Sequence, residues 1–507
     1  MKVLCLIFFV TIVASVYGQT LAGPKHGKKV VCYIASWAVY RPDPGKYTLE
    51  DLEPALCTHL IYSFAGLNET SNTIKSLDPW QDLETDYGKA GYKRLVAMKD
   101  KYPHLKVTLA IGGWNEGSPR YSNMASKPET RKAFINSVML MLNNYKFDGL
   151  DLDWEYPTKR DGKPHDRENF VLLVKELSEA FEPYGYILTA ALGAGKTTME
   201  TAYDLTKLSR YLDLIHMMCY DYHGTWDGVL GANAPLKGLN ENDTLSVEWT
   251  VEYLLAHGVS PYKMVLGLPM YGRTFLLRDP SARVLEFGTT PVMDTGFKGP
   301  YTGEAGFMGY NEICEQTMSQ SSPWVYYWHE QSSTAYLRDG EKVIAYDNGR
   351  SIAIKIKMAI DKGLGGLMVW SIDTDDFRGN CNETDAYIDF VERYKRMADD
   401  PLLGKAVKNL HIPDEALVGS KGPAYVMQDG RLQLRLPQPK YTNYAIMQVI
   451  NGAISLAVEE KRILDEMKRL EGDNEVTPKD EKDSSCYHGY SFVCLFACTT
   501  LAILGMM

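Results

Sequence analysis

Asp151, Asp153 and Glu155 stand at alternate positions in the segment Phe147-Asp148-Gly149-Leu150-Asp151-Leu152-Asp153-Trp154-Glu155-Tyr156-Pro157. The segment is short, extended in character and apolar between its acids. Side chains alternate across a strand, so these three carboxylates share one face and Asp148, out of phase, points elsewhere. Like charges held close disfavour one another's ionisation and raise at least one pKa. That suits chemistry in which a proton must be held ready for delivery. An exposed acidic strand is the plainer explanation, but charged side chains favour polar settings, and this row is set among Phe147, Leu150, Leu152 and Trp154. No His/Cys grouping has metal-ligand spacing and no glycine-rich phosphate loop occurs. The chemistry is therefore expected to need neither metal nor cofactor. His216 and His223 have no identifiable partner in the sequence.

The elements that must carry this row are legible as eight short apolar runs, roughly 30–37, 58–65, 106–113, 146–154, 187–193, 213–220, 264–269 and 365–371. Several are near-continuous hydrophobics, as parallel strands buried on both faces should be. The stretches between them, such as Lys127 to Tyr145 and Asp166 to Tyr184, are long enough for crossover helices. Strand and helix in alternation imply an α/β fold with a parallel sheet. The gap between the seventh and eighth runs is too long for one crossover and is rich in aromatics, Gly and Thr. After about Met397 the pattern stops. Residues 401–450 have no assignable structure, 454–470 form an amphipathic helix with Leu456, Ile463, Leu464, Met467 and Leu470 near one face, and 472–485 form a charged linker.

The acidic string resembles the signature of family 18 glycoside hydrolases, the chitinases, whose pattern Asp-x-x-Asp-x-Asp-x-Glu is met here by Asp148, Asp151, Asp153 and Glu155. Further segments similar to that family follow in order: Ser36-Trp37-Ala38, Ile61 to Ala65, Ala110 to Asn115, Met218 to Gly224, Gly267 to Arg273 and Met368 to Asp373. Together they cover about residues 29–396. The resemblance implies a TIM (β/α)₈ barrel with a small α+β insertion domain, about 272–343, between strand seven and helix seven. It is compatible with an arthropod GPI-anchored chitinase.

Barrel enzymes place their catalytic groups at the C-terminal ends of the strands, so Glu155 is the expected general acid. The resemblance implies substrate-assisted retaining catalysis, in which the substrate's own acetamido carbonyl attacks. Asp153 would then orient the acetamido N–H and balance the cation, Asp151 would share a proton with Asp153, and Tyr220 would hold the acetamido oxygen. Asp153 as nucleophile is the competing role. Asp221, Tyr271 and Arg273 match substrate contacts. Trp370 matches the floor under the cleaved sugar, and Trp37, Phe64 and Trp114 extend that aromatic platform. Met368, like Met217 and Met218, lines the site by packing. The expected function is an endochitinase cleaving β-1,4-linked N-acetylglucosamine in chitin or chitooligosaccharide. The alternative is a non-hydrolytic chitin-binding or signalling protein on the same scaffold. Such relatives lose the acid, whereas Glu155, Asp153, Asp151 and Tyr220 are all present. An endoglycosidase acting on N-glycan cores is disfavoured by the insertion and the matched aromatics.

Composition bounds the setting. The chain of 507 residues has a net charge of −10 and is 45% hydrophobic. An acidic surface argues against a nucleic-acid partner. Met1-Lys2, the apolar run Val3 to Val16 and the small Gly18 predict a secretory signal peptide over 1–18. Nine cysteines accord with an oxidising compartment. The resemblance pairs Cys32 with Cys57 and Cys314 with Cys381, and leaves Cys219 as a buried thiol. Asn68, Asn242 and Asn382 stand in acceptor sequons for glycosylation. Residues 397–490 form an extension and linker. The apolar run 491–507 has three readings: a GPI-addition signal, favoured here, with attachment near Ser484-Ser485-Cys486 or Gly472-Asp473-Asn474; a retained span, for which it is short; or a buried terminal segment. Any membrane association is expected through that lipid anchor only.

Overall fold

Runs rich in Val, Ile and Leu become strands, and the alternation of their side chains divides them between two cores. The computed structural model describes residues 21–318, 321–381, 383, 385–410, 425–428, 431–437 and 443–475. The strands are β1 (Lys29–Ala35), β2 (His59–Asn68), β3 (Thr73–Ser76), β4 (Lys106–Gly112), β5 (Gly149–Asp153), β6 (Ile187–Gly193), β7 (Leu214–Met218) and β8 (Met264–Pro269), followed by β9 (Tyr271–Leu276), β10 (Phe307–Gly309), β11 (Val325–His329), β12 (Thr334–Asp339), β13 (Lys342–Tyr346) and β14 (Gly366–Trp370). β1, β2, β4, β5, β6, β7, β8 and β14 pair in parallel, and β1 meets both β2 and β14, so the sheet closes. β3 lies antiparallel on the end of β2.

Along β1, Val31 and Tyr33 face the barrel interior with Ile61, Ala110, Ala191, Val265 and Met368, while Val30, Cys32 and Ile34 face the surrounding helices. β5 divides likewise: Leu150 and Leu152 pack outward, which leaves Asp151 and Asp153 inward. The outer layer includes α1 (Gly91–Lys101), α2 (Pro128–Tyr145), α3 (Asp166–Phe181) and α4 (Val247–Ala256). α2 opens with Pro128 in its first turn, where a missing N–H costs nothing. Ser246 caps α4 by accepting from Trp249 N, which satisfies one of the unpaired amides of its first turn.

The long segment after β8 forms a second sheet, in the order β10-β9-β13-β12-β11 and antiparallel at every pairing. It carries α5 (Tyr310–Met318) and has its own core of Leu230, Phe275, Leu277, Val292, Val343 and Ala345. The sheet runs from Tyr271 to Tyr346 and the chain then enters α6 (Gly349–Asp361). The insertion thus sits between the seventh barrel strand and the seventh helix. Disulfides join Cys32 to Cys57 and Cys314 to Cys381, and Cys219 is a buried free thiol.

Beyond α7 (Ile388–Ala398), the stretch that has no evident pattern in the sequence holds α8 (Leu403–Asn409) and the paired strands β15 (Tyr425–Gln428) and β16 (Arg431–Leu434). The helix expected over 454–470 is longer, α9 (Ala445–Glu475). It packs along α6, and Asn451 bonds His26 and the Leu56 carbonyl at its barrel face. Its first turns are hidden in the sequence because Asn451-Gly452 reads as a turn signal. Gly452 instead sits beneath Tyr387, whose hydroxyl would lie 2.2 Å from an added Cβ. Gly472, one option for lipid attachment, falls inside α9. The signal peptide, Ser484 to Cys486, the apolar run 491–507 and Asn382 lie outside the described residues. Asn68 and Asn242 are exposed. Among the described residues no helix is long and apolar enough to cross a membrane.

Candidate active site

The register of the barrel brings the acids to one mouth. β4 pairs with β5 so that Ala110 faces Asp151 and Gly112 faces Asp153. Gly112 has φ +122°, and a Cβ there would lie 2.0 Å from the Asp153 carbonyl oxygen. Only glycine allows this approach, and Gly113 N then donates to the same oxygen at 2.8 Å. Outward of the row, the Trp154 indole donates to Ser118 Oγ at 3.0 Å. Asp148 points away, accepting from Val107 N at 2.7 Å and Lys99 Nζ at 3.0 Å.

Within the row the three acids have different surroundings. Asp151 is fully buried and accepts from the Tyr33 hydroxyl at 2.6 Å and the Thr189 hydroxyl at 2.5 Å. His216 Nδ1 lies 3.1 Å from the same carboxylate and 2.9 Å from the Tyr33 hydroxyl. Asp153 is buried, and its Oδ1 has no hydrogen-bond partner among the described residues. Burial, then the charges of Glu155 and Asp151, raise its pKa well above the carboxylate range, because each disfavours the ionised form. Glu155 is half-buried at the strand end. Burial pushes it up to about 7, opposed by a hydrogen bond from Tyr156, reinforced by Asp221 and opposed again by Arg160. A carboxyl in that range can give up a proton near neutrality.

One expectation changes here. His216 has partners after all: it stands on β7, and neither it nor Tyr33 nor Thr189 signals its neighbours in the linear sequence. Tyr33 donates to one Asp151 oxygen and Thr189 to the other, and no hydrogen bond joins Asp151 to Asp153 among the described residues.

The aromatic residues form a stack with unequal roles. Trp37 lies on Phe64 at 6.0 Å and 20°, and Phe64 on Trp370 at 5.6 Å and 26°. Phe64 is buried, while Trp37 remains 45% exposed. The three ring centroids stand 5.6–6.1 Å from one another, so Phe64 packs beside both tryptophans as one corner of a triangle. Trp370 also meets the edge of Tyr33 at 5.6 Å. Trp114 stands apart, 59% exposed, beneath the Arg160 guanidinium at 3.6 Å.

Across the mouth, Tyr220 follows β7 and its hydroxyl points to Met368 Sδ at 3.8 Å. Asp221 accepts from the Tyr271 hydroxyl at 2.7 Å and from Arg273 Nε at 2.8 Å. Tyr271 is buried and its hydroxyl is committed to Asp221, so this tyrosine acts by fixing the carboxylate. Arg273 also lies over the exposed Trp226 at 5.2 Å, a residue the sequence reading missed. Its only signal was a lone tryptophan in the loop after the sixth run. Among the described residues no group of acids, histidines or cysteines could hold a metal ion.

Comparison with known proteins yields a consistent set of likenesses. The family described as glycosyl hydrolases family 18 matches residues 29–375. The chain is 51% identical over 391 residues to "Probable chitinase 2" of Drosophila melanogaster, covering 74% of this chain and 78% of that one. It is 37% identical over 384 residues to "Endochitinase" of Manduca sexta, covering 72% and 67%. The crystal structure of the Ostrinia furnacalis Group IV chitinase in complex with allosamidin superposes with a TM-score of 0.66 at 42% identity, covering 70% of this chain and 95% of that one.

Proposed function

The chain belongs to glycosyl hydrolase family 18, and from that premise we propose that it is an endochitinase that cleaves β-1,4-linked N-acetylglucosamine with retention. The observation that carries this reading is the pairing of Glu155, held up to about 7, with a buried Asp153 whose Oδ1 has no partner among the described residues. One supplies a proton, and the other has room for a donor from the substrate.

The sugar to be cleaved rests on Trp370. The Glu155 carboxyl gives its proton to the glycosidic oxygen, which leaves with the bonding electrons as an alcohol. The 2-acetamido carbonyl oxygen of the same sugar attacks C1 from the opposite face, forming an oxazolinium ion. Asp153 accepts from the acetamido N–H and offsets the positive charge as it develops. The Tyr220 hydroxyl turns from Met368 to the acetamido oxygen. Water then attacks C1, the Glu155 carboxylate takes its proton, and the amide is restored. Asp151, anchored by Tyr33, Thr189 and His216, fixes the negative field beneath Asp153. Asp221, held by Tyr271 and Arg273, and Trp37, Trp114 and Trp226 grip neighbouring sugars. The protein is secreted by its N-terminal leader and tethered to the cell surface by a lipid added near its C-terminus.

The presence of every acid of the row favours hydrolysis over the non-hydrolytic reading. The test is hydrolysis of chitin hexasaccharide by the full chain with Glu155→Gln alongside. The variant should lose about 10²- to 10⁴-fold in kcat and still bind the oligosaccharide. Equal binding by both proteins with no cleavage by either would mean a lectin.

A further inference from the structure

The two ends of the barrel differ in charge. The first residue of each parallel strand and the five before it together carry nine lysines and arginines against four acids. The last residue of each and the five after it carry two against seven. The strand exits form the mouth, so the basic end is the opposite one.

This excess is not neutralised in place. Lys25, Lys28, Lys29, Lys106, Lys146 and Lys263 form no ion pair among the described residues. Lys28 Nζ donates to the Leu364 carbonyl at 2.8 Å, and Lys263 Nζ to the Leu212 carbonyl at 2.7 Å. Of the four acids, Asp148 and Asp361 already pair with Lys99 at 3.0 Å and Lys357 at 2.6 Å. Burial, then Lys29 and Lys461, hold the Lys28 ammonium below its ordinary range, so the cations crowd one another. Two tyrosines on the same end have no cover: Tyr184, before β6, is 67% exposed, and Tyr262, before β8, is 73% exposed.

α9 carries the chain to this end. Its first amides bond Asp375, which follows β14 on the mouth side. Further along, Asn451 bonds His26 and the Leu56 carbonyl, which lead into β1 and β2. Lys461 Nζ then donates to the carbonyl of Asp361, at the entry to β14, at 3.2 Å. A helix keeps its direction, so Glu475 is delivered on the basic side. Residues 476–507, with the lipid attachment read near Ser484-Ser485-Cys486, continue from there.

We propose that the strand-entry end of the barrel docks on a bilayer carrying anionic headgroups, so that the enzyme lies on its membrane with the mouth turned outward. The proposal rests on the lipid tether of the reading above. A tether raises the local concentration, so weak contacts suffice. Lysines are drawn to an anionic surface and tyrosines settle at headgroup level. The same surface repels the acidic mouth, so both ends favour one orientation.

Release of the protein from expressing cells by a phosphatidylinositol-specific phospholipase reads the tether by itself. Protein so released, or recovered from the medium where no tether forms, is mixed with phosphatidylcholine vesicles with and without phosphatidylserine. Wild type should bind the anionic vesicles, more weakly as salt rises, and not the neutral ones. Lys25→Gln combined with Lys106→Gln, both at exposed positions, should weaken binding about fivefold for each lysine. Its thermal midpoint should be no lower than that of wild type, which shows that it is folded. On the vesicles, amide exchange should slow over 182–186 and 260–263 and not at the mouth over 225–228. Equal binding to neutral vesicles, undiminished binding by the folded variant, or slowed exchange at the mouth would each overturn the proposal. Binding to heparin but to neither vesicle would overturn it too, by assigning the face to a soluble polyanion. Absence of phospholipase release would remove the tether reading alone, a result distinct from these.

Discussion

Two sets of three acids lie at C-terminal ends of barrel strands in this molecule. Asp151, Asp153 and Glu155 end β5. Asp373, Asp375 and Asp376 follow β14. All are buried except Glu155, which is half-buried. In the second set every carboxylate has a donor or a cation, Asp373 Oδ2 meeting Arg41 as an ion pair without a hydrogen bond. Asp373 accepts from Ala35 N at 2.9 Å and pairs with Arg41 at 2.7 Å. Asp375 accepts from Asp376 N at 2.7 Å, Met447 N at 2.8 Å and Ile446 N at 3.1 Å. Asp376 accepts from Cys381 N at 2.7 Å and Asn380 N at 2.8 Å. In the first set Asp151 is so provided and Glu155 has a hydrogen bond from Tyr156, whereas Asp153 Oδ1 has no donor among the described residues. Burial raises Asp375 to about 7, as it does Glu155, so a raised pKa does not separate the two sets. The supply of donors does. A buried acceptor left unmade costs about 1–3 kcal/mol, and the fold bears that cost at Asp153, where a substrate amide can satisfy it.

The sharpest way to break this contrast is Asp153→Asn. If Asp153 serves the reaction, the variant should lose about 10²- to 10³-fold in kcat, the scale of one preorganised electrostatic contact. Its thermal midpoint near neutral pH should hold or rise, since folding no longer has to protonate a carboxyl whose pKa burial raises. A lowered midpoint in calorimetry would place Asp153 with the structural acids.

Next in size is the pH dependence of Glu155. Its folded pKa of about 7 lies above the ordinary glutamate value of 4.5. As the acid it must be protonated, so kcat/KM should fall about tenfold per pH unit above about pH 7. Stability responds to the same displacement. Between about pH 4.5 and 7 the unfolded chain ionises first, so this group's contribution declines as pH rises and is constant beyond. Glu155→Gln should therefore match wild type in thermal midpoint near pH 4 and exceed it near pH 8. The gain is a few kcal/mol at most, since each pH unit separating the folded and unfolded values is worth roughly 1.4 kcal/mol. A difference that does not vary with pH would contradict the assignment.

These contrasts also mark how far the sequence could be read. Local periodicity carried the strands, and the family resemblance carried their closure into a barrel: Leu150 and Leu152 alternate with Asp151 and Asp153, and each strand run lies within a few residues of its observed bounds. Periodicity also put the acids on one strand face, while the aromatic residues at the mouth were legible only through the resemblance. Contacts between distant segments were not legible. Tyr33, Thr189 and His216 meet Asp151 from three other strands. Phe64 meets Trp37 and Trp370 from distant parts of the chain. Arg160 reaches Trp114 only through three left-handed residues, and nothing in Thr158-Lys159-Arg160-Asp161 announces them. The start of α9 escaped because its N-terminal turn is capped by Asp375, about 70 residues earlier in the chain.

That cap gives the smallest of these effects and the complement to Asp153. The first amides of a helix lack partners within it, and Asp375 supplies them for Ile446 and Met447. Close by, Tyr444 bonds the Tyr47 hydroxyl at 2.8 Å and the Asp51 carbonyl at 2.5 Å. Asp375→Ala should therefore destabilise the protein by about 1–3 kcal/mol, with faster amide exchange at Ile446 and Met447. Trp370 stands five residues upstream and is held by its own strand and by Phe64, so kcat on the hexasaccharide should stay within about twofold below the melting transition. A variant with normal stability and lost turnover would reverse the comparison, because the well-provided acids would then be the ones that act on substrate.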